Sequence, residues 1–189
     1  MKNLDILIQN IRIRKAAREI PDNAIVLDIG CSQGELFQSI EKKLMYGIGF
    51  DPNLEQEINC NTYKLFPNKF PSEKSKEILR NKTFGVITLL AVIEHIPVNQ
   101  LDEFVSEFHK YLNSDGIVII TVPAPLVDHI LSVLKKVRLI DGMELEEHHG
   151  FDVKTLPEIM QKNGFILRKK KYFEISLNTL FVFESSTFY

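Results

Sequence analysis

Short apolar runs at Ala24 to Ile29, Tyr46 to Phe50, Phe84 to Leu90 and Ile117 to Val122 alternate with segments of helical spacing, and this alternation limits the fold more than any other feature. Apolar residues fill consecutive positions in each run, the pattern of a strand buried on both faces. Between the runs, Leu36, Phe37, Ile40 and Leu44 set a helix over residues 35–44, Glu73 to Leu79 a charged one, and Asn99 to Leu112 a third. A weaker strand falls near Thr62 to Leu65, and a Ser114-Asp115-Gly116 turn precedes the last run. Strand, helix and strand in repetition build right-handed βαβ units around one parallel sheet. The expected fold class is α/β: a Rossmann-like, doubly wound, mostly parallel seven-stranded sheet with helices on both faces.

The two ends depart from that rhythm. Leu4, Leu7, Ile8 and Ile11 fall at i, i+3, i+4 and i+7, so residues 1–20 form an amphipathic helix expected to lay that stripe on the domain or its site. Near the other end, Thr155 to Asn163 reads as a helix closed by Gly164, with Thr155 and Glu158 at capping-box spacing. Phe165 to Ile175 and Asn178 to Phe183 follow with no helix between them, which predicts an antiparallel C-terminal hairpin at the sheet edge. Residues 124–151 carry Leu126, Ile130, Leu131, Leu134 and Val137 at near-helical spacing, an apolar surface expected to cover a substrate site or a partner subunit, with a homodimer left open. No repeat or linker divides the chain, so residues 1–189 read as one domain.

Charge and cysteine usage exclude several functions. The net charge of −2 provides no basic field for a phosphate backbone, so bulk nucleic acid is not an expected partner. Arg168-Lys169-Lys170-Lys171 reads as a solvated strand start rather than a binding patch. No apolar run reaches the ~18 residues of a membrane span, and Asp5, Arg12, Arg14, Lys15 and Arg18 interrupt any signal-peptide core. Cys31 and Cys60 lie in no zinc or redox spacing, so no metal is expected and the reducing cytoplasm is the expected compartment.

The chemistry centres on Val26-Leu27-Asp28-Ile29-Gly30-Cys31-Ser32-Gln33-Gly34-Glu35-Leu36, a buried strand entering a helix through a turn of small residues. In such a sheet ligands bind beyond the carboxyl ends of the strands, and Gly30 and Gly34 let a ligand or a packing helix approach the backbone. A carboxylate at Asp28 suits a cationic or hydrogen-bond-donating group rather than a pyrophosphate. The dinucleotide spacing Gly-x-Gly-x-x-Gly is absent, as is the Lys-Ser/Thr ending of a P-loop. Asp51, at the end of the next strand, is placed to accept both hydroxyls of a ribose.

These residues resemble the first motif of the class I S-adenosylmethionine-dependent methyltransferases, most closely the small-molecule branch, with Ser32 where the family has its middle glycine. Ile87 to Pro97 is similar to the family's fourth-strand segment, which often ends in Leu-Glu-His-(Ile/Val), and Asp115-Gly116 to Val122-Pro123 is similar to its fifth-strand motif. The resemblance implies S-adenosylmethionine as cofactor and S-adenosylhomocysteine as product, held by Asp28, Ile29, Gly30, Cys31, Gly34, Asp51, Pro52, Leu90 and Ala91. It also implies direct in-line displacement by a nucleophile of a small-molecule substrate; oxygen, on a metabolite, sugar or lipid precursor, is the preferred acceptor because the His148-His149 pair supplies a base. The family's acidic adenine partner is missing from Lys64 to Phe70, so Asn68 or a backbone carbonyl is the expected substitute. The alternative from another class is a non-catalytic S-adenosylmethionine-binding regulatory or partner subunit.

Candidate bases are histidines. His148 and His149 stand beside Glu144, Glu146 and Glu147, and imidazole is suited to take a proton near pH 7, although a solvated loop has equal weight. His95, beside Glu94, either braces its loop or faces the substrate, again with equal weight.

Overall fold

A computed structural model describes residues 2–123, 151–173 and 178–186 of the chain. Helix α1 spans Lys2–Ala17, β1 Ala24–Ile29, α2 Glu35–Ser39, β2 Leu44–Phe50, β3 Ile58–Asn59 and β4 Tyr63–Phe66. Next come α3 Glu73–Leu79, β5 Phe84–Leu90, α4 Leu101–Ser106, β6 Leu112–Pro123, α5 Leu156–Lys162, β7 Phe165–Phe173 and β8 Asn178–Ser185. The sheet order is β3-β4-β2-β1-β5-β6-β8-β7. Strands β4, β2, β1, β5 and β6 are parallel, while β8 pairs antiparallel with both β6 and β7.

The expected α/β architecture is present, including the antiparallel hairpin with β7 at the edge. Among the described residues the sheet has eight strands rather than seven, because two-residue β3 adds an antiparallel rung to β4. The predicted 99–112 helix is interrupted: 3-10 turns at Val98–Gln100 and Glu107–Lys110 flank α4, and Leu112 already pairs with Phe84. Between the pairs Phe84–Leu112 and Val86–Ile117 the turn at residues 113–116 bulges out of β6.

Period-two alternation divides the strands between two cores. Leu27, Ile87, Leu89, Val118, Ile120, Phe181 and Phe183 pack with Phe104 and Phe108 on one face. Val26, Val86, Ile119, Leu180 and Val182 pack on the other with Ile13 and Ala16 of α1 and Leu36 and Phe37 of α2. Helix α1 uses its expected stripe only in part: Ile11 packs against the second core, but Leu7 is 54% exposed and Ile8 only half-buried, and Ile13 and Ala16 bury most deeply. At α5, Thr155 Oγ1 donates to the Asp152 carbonyl (2.8 Å) and makes no cap bond, so the predicted capping box is not formed. A capping box closes α3 instead, through Ser72 and Ser75. Among the described residues no helix is long and apolar enough to cross a membrane.

Candidate cofactor site

Strand β1 turns left to β2 and β4 and right to β5 and β6, which makes its carboxyl end the point where strand order reverses and a crevice opens. Gly30, at φ +76°, starts the turn there, and the Gly30 and Cys31 amides both donate to the Phe50 carbonyl at 2.8 and 3.2 Å. A Cβ on Gly30 would stand 2.3 Å from Val92 Cγ2. Packing against Val92 and a left-handed backbone therefore require this glycine, before any ligand does. Gly34, at φ +83°, enters α2, where a Cβ would meet Leu65 and Tyr63 at 3.1 and 3.2 Å.

The turn fixes Asp51. Its Oδ2 accepts from the Ser32 amide (2.9 Å), and its Oδ1 accepts from the Asn53 amide (2.9 Å) in an Asx turn. An ionised carboxylate offers about four lone-pair sites, so each oxygen, held by one backbone donor, keeps a further site for a hydroxyl.

Two cavities flank the Gly30 turn and share Gly30 and Leu90 as walls. The larger, about 510 Å³, has Asp51, Pro52 and Asn53 on one side, an apolar lining of Ile29, Phe50, Phe70, Val92, Ile96 and Phe104, and Lys69 and His95 as its basic groups. Ala91, at φ +60°, contributes to the same wall, and its amide donates to the Thr121 carbonyl (2.9 Å). The smaller, about 50 Å³, lies under α1 between Gln9, Arg12, Asp28, Cys31 and Glu35.

Asp28 is 3% exposed, and its Oδ1 accepts from Thr88 Oγ1 at 2.6 Å. Burial pushes its carboxyl up to about 7, with Glu35 and Asp51 adding to the rise and the Thr88 hydrogen bond opposing it. Burial, with Asp28 and Asp51 nearby, likewise drives the Cys31 thiol above its ordinary range, leaving it an inert wall residue.

The structure thus brings Asp28, Ile29, Gly30, Cys31, Asp51, Pro52, Leu90, Ala91 and His95 to the two cavities. Gly34 lines neither, and neither does Asn68, whose amide turns back to the Phe66 carbonyl (2.8 Å). His148, His149 and residues 124–150 of the expected insertion lie outside the described residues. Sequence reading missed Arg12, Asn53, Lys69, Phe70, Thr88 and Phe104. Thr88 had a weak signal, as a polar residue inside an apolar run, and the others had none. Among the described residues no cluster of His, Cys, Asp or Glu could hold a metal.

A crevice at a strand-order reversal, with carboxylates at the ends of its first two strands, defines an α/β protein that binds a nucleoside-bearing cofactor. Residues 7–170 match the methyltransferase domain family, and the chain belongs to that family as a class I S-adenosylmethionine-dependent methyltransferase. The chain is similar to the ubiquinone biosynthesis O-methyltransferase of Pelagibacter ubique, at 26% identity over 171 residues covering 86% of this chain and 70% of that one. In fold it resembles the methyltransferase solved in complex with the Haloferax volcanii Trm112 activator (TM-score 0.73, 10% identity, 100% of this chain and 94% of that one). It also resembles the Burkholderia thailandensis 1,6-didemethyltoxoflavin-N1-methyltransferase, solved with that substrate and S-adenosylhomocysteine (TM-score 0.68, 12% identity, 98% and 83% covered).

Proposed function

We propose that the two cavities together hold S-adenosylmethionine, and that the acceptor is a small molecule presenting an oxygen nucleophile, on a metabolite, sugar or lipid precursor. The donor set fits such a cofactor. Asp51 would take the two ribose hydroxyls, the aromatic and aliphatic lining of the larger cavity would take the base, and Asp28 with Arg12 would take the amino-acid end, carboxylate to ammonium and guanidinium to carboxylate. When bound, the cofactor supplies an electrophilic methyl group on a sulfonium. The chain's own residues align it against the acceptor, and a base is needed only where the attacking atom carries a proton. Among the described residues His95 is the histidine that lines the larger cavity, and it stands with His148 and His149 as a candidate for that proton. The Pelagibacter ubique relative, named as an O-methyltransferase, supports oxygen as the acceptor atom.

The observation that carries the reading is the Asp51 carboxylate, locked by two backbone amides at 2.9 Å with acceptor capacity left on each oxygen. Asp51→Ala removes up to two charge-assisted bonds, each worth about 1.5–3 kcal/mol, so calorimetry should find S-adenosylhomocysteine binding weakened more than about tenfold. Unchanged affinity would refute the assignment. His95→Ala, measured with an identified acceptor at saturating cofactor so that a change of cofactor affinity does not enter, should lower kcat by about 10²–10⁴ if His95 is the base. A near-normal rate returns His95 to a bracing role.

A further inference from the structure

We propose that Thr88 is a positioning residue of the cofactor site, whose hydroxyl holds one oxygen of Asp28 so that the other faces the narrow cavity. The proposal deepens the reading above and rests on Asp28 meeting the cofactor's ammonium group.

Asp28 lies inside the sheet, where lateral partners come only from neighbouring strands. In register it stands opposite Gly49 of β2 and Thr88 of β5. Gly49 has no side chain, and the place of its Cβ is taken by Cys31, whose Sγ would be 2.6 Å away. Thr88 is therefore the lateral side-chain donor that can reach the carboxylate. Its Oγ1 lies 2.6 Å from Asp28 Oδ1 and 3.4 Å from the Leu27 carbonyl, so its single proton goes to the carboxylate. Thr88 is fully buried and β-branched, which keeps the hydroxyl in place.

The arrangement matters because Asp28 is otherwise costly to ionise. Arg12 approaches from α1, Glu35 from α2 and Cys31 from the turn, while Asp51 stands beyond β2. Of these only Arg12 is cationic, and its Nε already donates to Asn178 Oδ1 (2.9 Å). Thr88 supplies a fixed donor that favours the carboxylate form, against burial and two neighbouring acids. Without that donor Asp28 would keep its proton to higher pH and could rotate away from the cavity.

The test is titration calorimetry of S-adenosylhomocysteine from pH 5.5 to 9 on wild type, Thr88→Val, Thr88→Ser and Asp28→Asn, each below its melting temperature. Thr88→Val should bind at least about tenfold more weakly at pH 8, and its affinity should develop at higher pH than that of wild type. Thr88→Ser should come within about threefold of wild type and restore its pH profile, since it keeps the hydroxyl. If Thr88→Val does not fold, Thr88→Ala is read the same way. A Thr88→Val profile matching wild type, or a serine variant as weak as valine, overturns the proposal. Asp28→Asn separates the two levels of the reading. If it is impaired while Thr88→Val is normal, only the role of Thr88 falls; if it binds as wild type does, the assignment of Asp28 falls as well.

Discussion

The titration of Asp28 makes a prediction about the cofactor-free protein. Its carboxyl is raised from 3.8 to about 7, chiefly by burial. Below about pH 4 the group is protonated whether the chain is folded or not, and burial carries no ionisation cost. As pH rises toward 7 the unfolded chain ionises while the folded one retains its proton, so the stability this group contributes is lost across that window. At about 1.4 kcal/mol per pH unit, the loss amounts to a few kcal/mol once pH exceeds 7. Asp28→Asn, which cannot ionise, should therefore unfold at higher urea than wild type at pH 8 and at a similar concentration at pH 4. Equal midpoints at both values would show that Asp28 titrates normally. Gly30 offers a second test: Gly30→Val adds a side chain 2.3 Å from Val92 Cγ2 at φ +76°. Such strain costs of order 1–3 kcal/mol, so a circular-dichroism melt should show lower stability in addition to lost binding. The glycine and the two aspartates were legible from their order along the chain. The reason for Gly30 was not, because Val92 is a neighbour only after β5 lies beside β1.

At the scale of elements, the strands were readable and the faces of helices were not. Buried parallel strands announce themselves by unbroken apolar runs, and β1, β2 and β5 fall within two residues of expectation at either end. Helix α1 has apolar residues on two sides, and periodicity alone chose Leu7 and Ile8 over Ile13 and Ala16. What decides is the surface it meets, composed of α2, β5, β6 and β8, which no local pattern encodes. Ile13→Ala should cost about 2–5 kcal/mol and Leu7→Ala less than about 0.5 kcal/mol, as read from denaturant midpoints; a reversed order would restore the stripe first expected. Strand β6 carries a related expectation. Thr121 Oγ1 is fully buried and has no hydrogen-bond partner among the described residues. Thr121→Val removes that desolvated hydroxyl at little change of shape, so it should raise the melting temperature by about 2–4 °C. A drop of similar size would mean that the hydroxyl is satisfied in solution.

For the molecule as a whole, doubly wound topology followed from counting alternations, and with it the position of the crevice. The composition of the crevice was harder to see, since Arg12, Phe70, Thr88 and Phe104 come from four separate segments. The same topology threads the hairpin inward: β8 enters between β6 and β7, although β7 precedes it along the chain. Biosynthesis inherits that order. When the ribosome has released the chain as far as Phe173, β6 still presents a bare edge and β7 has no strand to join. The Asn178 that later accepts from Arg12 has yet to be made. A nascent chain therefore carries its Gly30 turn, complete in sequence, before the helix above it gains its tie to β8, and translation timing leaves this edge of β6 open to chaperones until β8 arrives.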